Sequence, residues 1–148
     1  MFDLKNNIEL VESLNAIVKT ADTNSTGIDT QGANSAMAIV NVGAPGVTFS
    51  GSVKVDVKLE DSADNSTFAA VTNNNFVTGG TVDGNGIWQT IDADGECNAV
   101  YGIGYVGPKR YIRVVLDFTG SHSTGTAFGV VGALGNLESA PTDAQANL

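Results

Sequence analysis

The sequence predicts an all-β fold, a sandwich of two antiparallel sheets, from three observations. Two segments, residues 53–60 and 111–118, alternate between a continuous apolar face and a mainly polar one, as strands do when one face is buried. Eighteen glycines and many Asn, Ser and Thr residues supply turns between short apolar runs. About eight such runs occur, which is the number expected for two packed sheets.

Each predicted strand has a local reason. Residues 37–42 form a continuous apolar run that stops at a turn containing Gly43 and Pro45. The two alternating segments carry the clearest strand signal. The remaining apolar runs are bounded by Gly, Asn and Asp clusters. In order, the predicted strands are residues 37–42, 47–49, 53–60, 67–71, 87–91, 99–105, 111–118 and 127–134.

The chain of 148 residues is of a size for one domain. We predict an irregular N-terminal arm at residues 1–20, a single sandwich domain at 21–137 and a flexible tail at 138–148. The first segment is ambiguous, because its apolar residues recur at near-helical spacing yet also suit short extended pieces. An arm that docks on a neighbouring subunit, a first strand and a short helix therefore remain open for it.

Charge argues against nucleic-acid binding. Sixteen acidic residues against seven basic ones give a net charge of −9, which repels a phosphate backbone. Lys109, Arg110 and Arg113 form the main basic group, and they suit either charges that protect a strand edge or a contact with a small anion or a partner. No apolar run is suited to spanning a membrane, and residues 1–7 lack the pattern of a signal peptide, so we expect a soluble protein.

Motifs for catalysis, cofactors or metals are weak, and we expect no enzyme activity, cofactor or metal. Residues 102–107 match the dinucleotide fingerprint GxGxxG, but Pro108 and a strand follow where a helix is required. Cys97 and His122 are single residues of their type, and His122 lies in what reads as a flexible hairpin connection without an orienting partner. Asp92-Ala93-Asp94-Gly95-Glu96 looks like the opening of a calcium loop but lacks the EF-hand spacing, and an irregular calcium site made with Asp83, or with Asp61 and Asp64, stays open as an alternative.

Four short pieces occur in order along the chain. They are Asp29-Thr30-Gln31-Gly32 with Asn34-Ser35; Leu59-Glu60-Asp61-Ser62 with Asp64 and Ser66; Tyr105-Val106-Gly107-Pro108-Lys109-Arg110-Tyr111-Ile112-Arg113-Val114; and Thr124-Gly125-Thr126 before a strand ending Leu134-Gly135. Together they resemble a family of small structural proteins of tailed bacteriophages, the head decoration or cement proteins. The third piece is the most specific of the four.

The resemblance implies a jelly-roll-like sandwich attached to the capsid exterior, made in the host cytoplasm, with the major capsid protein as partner and a homo-trimer as the common assembly. It suggests an interface or structural motif formed by Gly107, Pro108, Lys109, Arg110, Tyr111 and Arg113. Such a protein acts by burying surface and needs no catalytic chemistry.

Two alternatives remain. The chain could occupy another position in the virion, at head completion or in the tail. It could also be a carbohydrate-binding sandwich, in which Trp88, Tyr101, Tyr105 and Tyr111 would make a stacking platform, although core or interface roles suit these aromatics better.

Overall fold

Strands account for most of the regular structure in the computed structural model, which describes residues 3–138. Two short 3-10 turns, Asn74–Phe76 and Asp94–Glu96, lie between strands. The strands are β1 (Ile8–Lys19), β2 (Thr23–Asn24), β3 (Ile28–Asp29), β4 (Ala33–Val42), β5 (Lys54–Ser62), β6 (Ala69–Ala70), β7 (Val77–Thr78), β8 (Ile87–Ile91), β9 (Ala99–Tyr105), β10 (Tyr111–Thr119) and β11 (Thr126–Leu137).

The strands form two antiparallel sheets that pack face to face, so the predicted all-β sandwich is confirmed. One sheet has the order β1-β11-β4-β9-β7, and the other has β2 and β3 beside β10, followed by β5, which pairs with β6 and β8. With β2 and β3 counted as one interrupted strand, and the two-residue β6 and β7 set aside, the eight strands divide four and four between the sheets in jelly-roll order, and only β5 and β8 follow each other within one sheet.

The core lies between the inner faces of the sheets. From β10 and β5 it receives alternate apolar residues that the sequence pattern selects, of which Phe118 is half-buried and Ile112, Val114, Leu116, Val55, Val57 and Leu59 are fully or almost fully buried. From the other sheet come Ala38, Val40, Phe128 and Val130, each with no exposed surface. Burying a Val, Leu, Ile or Phe side chain contributes about 1.5–3 kcal/mol, so this layer holds the sandwich together.

The N-terminal segment is a strand and not the irregular arm or helix considered from its spacing. β1 pairs with β11 along its length, with register shifts between Glu12 and Leu14 and between Leu14 and Ile17. Each shift adds one unpaired residue to β1, so Val11, Leu14 and Ile17, three positions apart, pair with the inward-facing Gly132, Val130 and Phe128 although the backbone is extended. The bulges in β1 therefore give its inward apolar residues a spacing close to that of a helix.

Two other predicted segments differ from the structure. Residues 47–49 form no named strand, and the strand predicted at 67–71 contains only the two residues of β6. The predicted tail, 138–148, lies outside the described residues except for Glu138, whose N–H donates to the Gly32 carbonyl at 2.9 Å.

Candidate interaction surfaces

The connection from β9 to β10 carries the predicted motif and is tied to the neighbouring sheet through Asp61. The Tyr105 hydroxyl donates to Asp61 Oδ2 at 2.8 Å, and Lys109 Nζ lies 2.7 Å from Asp61 Oδ1. The Lys109 N–H in turn donates to the Tyr105 hydroxyl oxygen at 3.2 Å. Asp61 and Tyr105 are both buried, and burial followed by the hydrogen bond to Asp61 raises the pKa of Tyr105. This phenol is therefore a structural donor that stays protonated.

Gly107 is required by close approach. A Cβ built on Gly107 would lie 2.4 Å from the Tyr105 hydroxyl oxygen and 2.5 Å from its ring carbon Cζ, so any larger residue would displace the ring. The next residue, Pro108, is exposed. The Gly-Pro pair thus lets the connection fold over Tyr105 before β10 begins.

The other two basic residues are paired with carboxylates. Arg110 donates to both oxygens of Asp29, at 2.8 and 2.6 Å, and this hydrogen bonding is the main reason that the pKa of Asp29 is lowered. Arg113 donates to Glu60 at 2.7 Å and also stacks 4.2 Å over the Phe68 ring. All three cations of the predicted basic group are therefore paired with carboxylates of neighbouring strands: Lys109 and Arg110 from the β9–β10 connection and Arg113 from β10. Cations that are already paired do not match a site for a free anion.

Parts of the four pieces that carry the family resemblance lie at one end of the sandwich, which we call the motif end, whereas Thr124-Gly125-Thr126, where the fourth piece begins, lies at the other end of β11. Asp29 comes from the first piece, Asp61 from the second, and Lys109 and Arg110 from the third. At the same end, Asn34 Nδ2 donates to the Asn136 carbonyl at 3.0 Å, directly after the fourth piece. Residues up to 102 positions apart in the chain are thus bonded to one another at this end.

The outer face of the five-stranded sheet, which we call the apolar face, is a surface that our sequence interpretation missed. Cross-strand pairing places Ala133 between Leu10 and Met37. In the same way, Val131 lies between Glu12 and Ile39. The face consists of Leu10, Glu12 and Val18 of β1; Ala127, Gly129, Val131 and Ala133 of β11; Met37, Ile39 and Asn41 of β4; and Val100, Gly102 and Gly104 of β9. Glu12 supplies the single charged group among these residues.

The outer face of the other sheet is very different. It carries ion pairs between Lys54 and Asp56 at 2.9 Å, between Arg113 and Glu60, and between Lys58 and Asp117. Antiparallel sheets with one solvated face normally show this polar outer pattern. The apolar face lacks the pattern, although Leu10 is 64% exposed, Val100 66% and Met37 40%.

A signal for the apolar face does exist in the sequence. β11 runs from Thr126 to Leu137 without a charged residue, and its outward positions are as apolar as its inward ones. Such continuous runs are typical of strands that are covered on both sides. The uncharged run therefore predicts a strand and also a second apolar face.

The aromatic residues do not form the stacking platform that a carbohydrate-binding role requires. Tyr105 is buried, and Tyr101 packs against the core while its hydroxyl donates to the Glu96 carbonyl at 2.7 Å. Trp88 also packs against the core but belongs to the other sheet, and Tyr111 stacks with Arg110. The four rings thus share no exposed surface, and the platform hypothesis is wrong.

His122 and Cys97 are both buried. Contrary to the expected flexible connection, the His122 ring packs against Phe118 and Phe49, with centroid distances of 4.8 and 5.8 Å. Its Nε2 lies 2.9 Å from the Thr119 carbonyl oxygen. Burial raises the pKa of the Cys97 thiol, which reduces its nucleophilic thiolate form.

Of the acidic residues considered for a calcium site, Asp61 is engaged by Tyr105 and Lys109, while Asp64 and Asp83 cap turns. Asp64 accepts from the N–H groups of Ser66 and Thr67, and Asp83 accepts from those of Asn85 and Ile87. Within residues 3–138, no group of three or more His, Cys, Asp or Glu side chains is arranged to hold a metal ion. The same part of the chain contains no helix of the length and hydropathy needed to cross a bilayer.

Among known proteins, the similarities of this chain are structural and weak. No profile of a known protein family matches the chain, and no curated protein matches it. Among solved structures, the VP2 subviral particle of infectious bursal disease virus aligns with a TM-score of 0.28 and 14% identity, over 95% of this chain. The chain spans 43% of that VP2 chain. A similarity of this size supports no conclusion about function.

Proposed function

We propose that this chain is a structural protein of a virion, and specifically that it decorates or cements the head of a tailed bacteriophage. The apolar face carries the proposal, because large uncharged patches on otherwise polar proteins mark surfaces that bind other proteins. It lies on a molecule with a net charge of −9, whose opposite sheet is covered by ion pairs. A jelly roll is compatible with this role and occurs in viral capsid domains, lectins and cupins.

The proposed role is adhesion and not catalysis. The bonded cluster at the motif end positions the β9–β10 connection, with Lys109 and Arg110 engaged by Asp61 and Asp29. The partners we propose are the major capsid protein and further copies of this chain, arranged as the trimer that the family resemblance implies. The location would then be the exterior of the capsid.

We assign the contact with the shell to the motif end. Pro108 and Arg110 are exposed there, and the bidentate bond from Arg110 to Asp29 holds the connection in a defined position. A preordered loop loses little conformational freedom when it binds, which favours a stable contact.

Cosedimentation with heads tests the function. Purified chain is mixed with phage heads that lack it, and we expect saturable binding at a copy number set by the symmetry of the shell. Binding at a single vertex or to tails would replace decoration by another virion role. Failure to bind heads, together with absence from purified particles, would contradict the virion proposal.

A pair of charge reversals tests the assigned contact. Arg110→Glu and Lys54→Glu each replace a cation that is paired with an aspartate, but only Arg110 lies at the motif end. We expect Arg110→Glu to weaken head binding by about tenfold or more, equivalent to roughly 1.4 kcal/mol. Lys54→Glu should bind like the unmodified chain. Equal affinities for both variants would contradict the assignment.

A further inference from the structure

Two groups of large apolar side chains, exposed or half-buried, lie on the outer face of the five-stranded sheet. The β1 cluster consists of Leu10 and Val18, which are 64% and 56% exposed and pair with the outward residues Ala133 and Ala127. The β4–β9 cluster consists of Met37, Ile39 and Val100 and lies two to three strands away. Exposed residues of this size in one contiguous region are unusual on a protein that works alone.

Between the clusters lies β11, whose outward residues are small except for Val131. Ala127, Gly129 and Ala133 project little above the sheet, and a Cβ added to Gly129 would lie 3.1 Å from Ala16 Cβ. The β4 side is higher, because the Met37 side chain covers Gly102, with Sδ 3.4 Å from where a Cβ would stand. The surface therefore has a trough between two apolar ridges, and a matching ridge can enter that trough.

Charge restricts where two copies can meet. With sixteen acidic and seven basic residues, each copy repels another over most approaches. The apolar face presents Glu12 as its one charged side chain, so contact through it brings few like charges together.

We propose that the apolar face is covered by a second copy of this chain, with the β1 cluster of one copy packed on the β4–β9 cluster of the other. This inference rests on the contact role proposed above and specifies the partner of that face. The contact can be reciprocal, in a two-fold pair, or repeat around a closed ring, as in a trimer.

The available area is sufficient for such a contact. Four strands spaced about 4.8 Å apart and roughly 30 Å long present on the order of 600 Å². Two copies would then bury on the order of 1,200 Å² in total, which is at the lower bound for stable specific interfaces. The centre of this contact would be apolar, and it would contain none of the ion pairs of the other sheet. This composition suits a long-lived assembly.

Three glutamate variants test the inference in purified protein, without heads. Leu10→Glu and Val100→Glu each place a carboxylate in one cluster, and Val106→Glu is the matched control in the β9–β10 connection, where Val106 is 56% exposed. All three positions are exposed, and each variant gains the same charge. We expect a dimer or trimer by light scattering for the unmodified chain and for Val106→Glu, and monomers for the other two.

Cysteine pairs supply a measurement that does not depend on disrupting the contact. Leu10→Cys protein is mixed with Val100→Cys protein and oxidised, and we expect linked chains that contain one copy of each. Leu10→Cys mixed with Val106→Cys should remain unlinked. The native Cys97 is buried and does not compete.

The outcomes are distinct. An unmodified chain that is monomeric at roughly 100 µM, about a hundred times the Kd of a micromolar complex, would overturn the inference. So would Leu10→Glu and Val100→Glu proteins that stay associated like the control. Head binding by a chain that does not self-associate would leave the virion role standing, whereas self-association without head binding would leave only this inference.

Discussion

The Tyr105 hydroxyl donates to the buried Asp61 carboxylate at 2.8 Å and thereby joins the two sheets across the motif end. Tyr105 belongs to β9 in the five-stranded sheet, and Asp61 belongs to β5 in the other. Lys109 neutralises the same carboxylate. Tyr105 and Lys109, from the most specific piece of the family resemblance, thus fasten the two sheets together through Asp61. The exposed residues of that piece lie at the surface above this contact.

Tyr105→Phe tests this fastening. The variant keeps the ring but removes the hydroxyl, so Asp61 loses a donor and the Lys109 N–H loses its acceptor. We expect a loss of about 1–2 kcal/mol in the free energy of unfolding, because buried groups left unpaired are costly. Tyr111→Phe, on the half-buried outer side of β10, is the control and should change stability by less than about 0.5 kcal/mol. Equal stability of both variants in urea titrations would argue against the fastening.

Asp64 should make stability depend on pH. Its pKa is lowered because the N–H groups of Thr67 and Ser66, and then the Ser62 hydroxyl, donate to its carboxylate. A carboxylate with a depressed folded-state pKa stabilises the fold fully above its unfolded pKa, near about pH 4, and less as the pH falls through the folded pKa. Asp64→Asn keeps an acceptor oxygen but not the charge. The stability difference between the unmodified chain and this variant should therefore be large at neutral pH and shrink in acid, and a difference that stays constant with pH would contradict this.

Two glycines with similar backbone angles should respond differently to alanine. Gly32 has φ +83° and nothing within 4 Å of an added Cβ, whereas Gly120 has φ +84° and a Cβ there would lie 2.3 Å from the Ser52 carbonyl oxygen. Gly32→Ala should cost about 1 kcal/mol, from backbone strain alone. Gly120→Ala should cost clearly more in the same thermal or urea measurement, since the β4–β5 connection must move. A larger effect at Gly32 would be inconsistent with the structure.

His122 should matter through packing. His122→Ala removes the ring between Phe49 and Phe118, and we expect a loss of about 2–4 kcal/mol. His122→Phe retains a ring and removes Nδ1, which is buried and has no hydrogen-bond partner among residues 3–138. It should therefore be markedly more stable than the alanine variant in urea titrations. If both variants lost the same stability, the bond from His122 to Thr119 would be the more important interaction.

Much of the sandwich could be predicted because its signals are local. The alternation in residues 53–60 and 111–118 reflects a strand with one buried face, and the structure buries the expected side of each. β1 could not be recognised in this way, because its two bulges depend on pairing with β11, more than a hundred residues later. Local spacing does not contain that partner.

The candidate site was predicted less completely than the fold. The motif residues 107–113 were identified, but their carboxylate partners lie in β3 and β5, and sequence distance conceals such pairs. The burial of His122 was also not predicted, because its ring packs between Phe118 of β10 and Phe49 of the β4–β5 connection, and sequence distance conceals the contact with Phe49.

By itself, the sequence determined an acidic all-β chain with two clear amphipathic strands, since side-chain alternation and net charge are properties of the residues alone. Only the tertiary structure decided which outward-facing residues of different strands lie next to one another. Strand order places β1, β11, β4 and β9 side by side and so joins separate apolar residues into one face, while β10 and β5 bring opposite charges together. Surfaces arise from neighbours across strands, and those neighbours are set by long-range pairing.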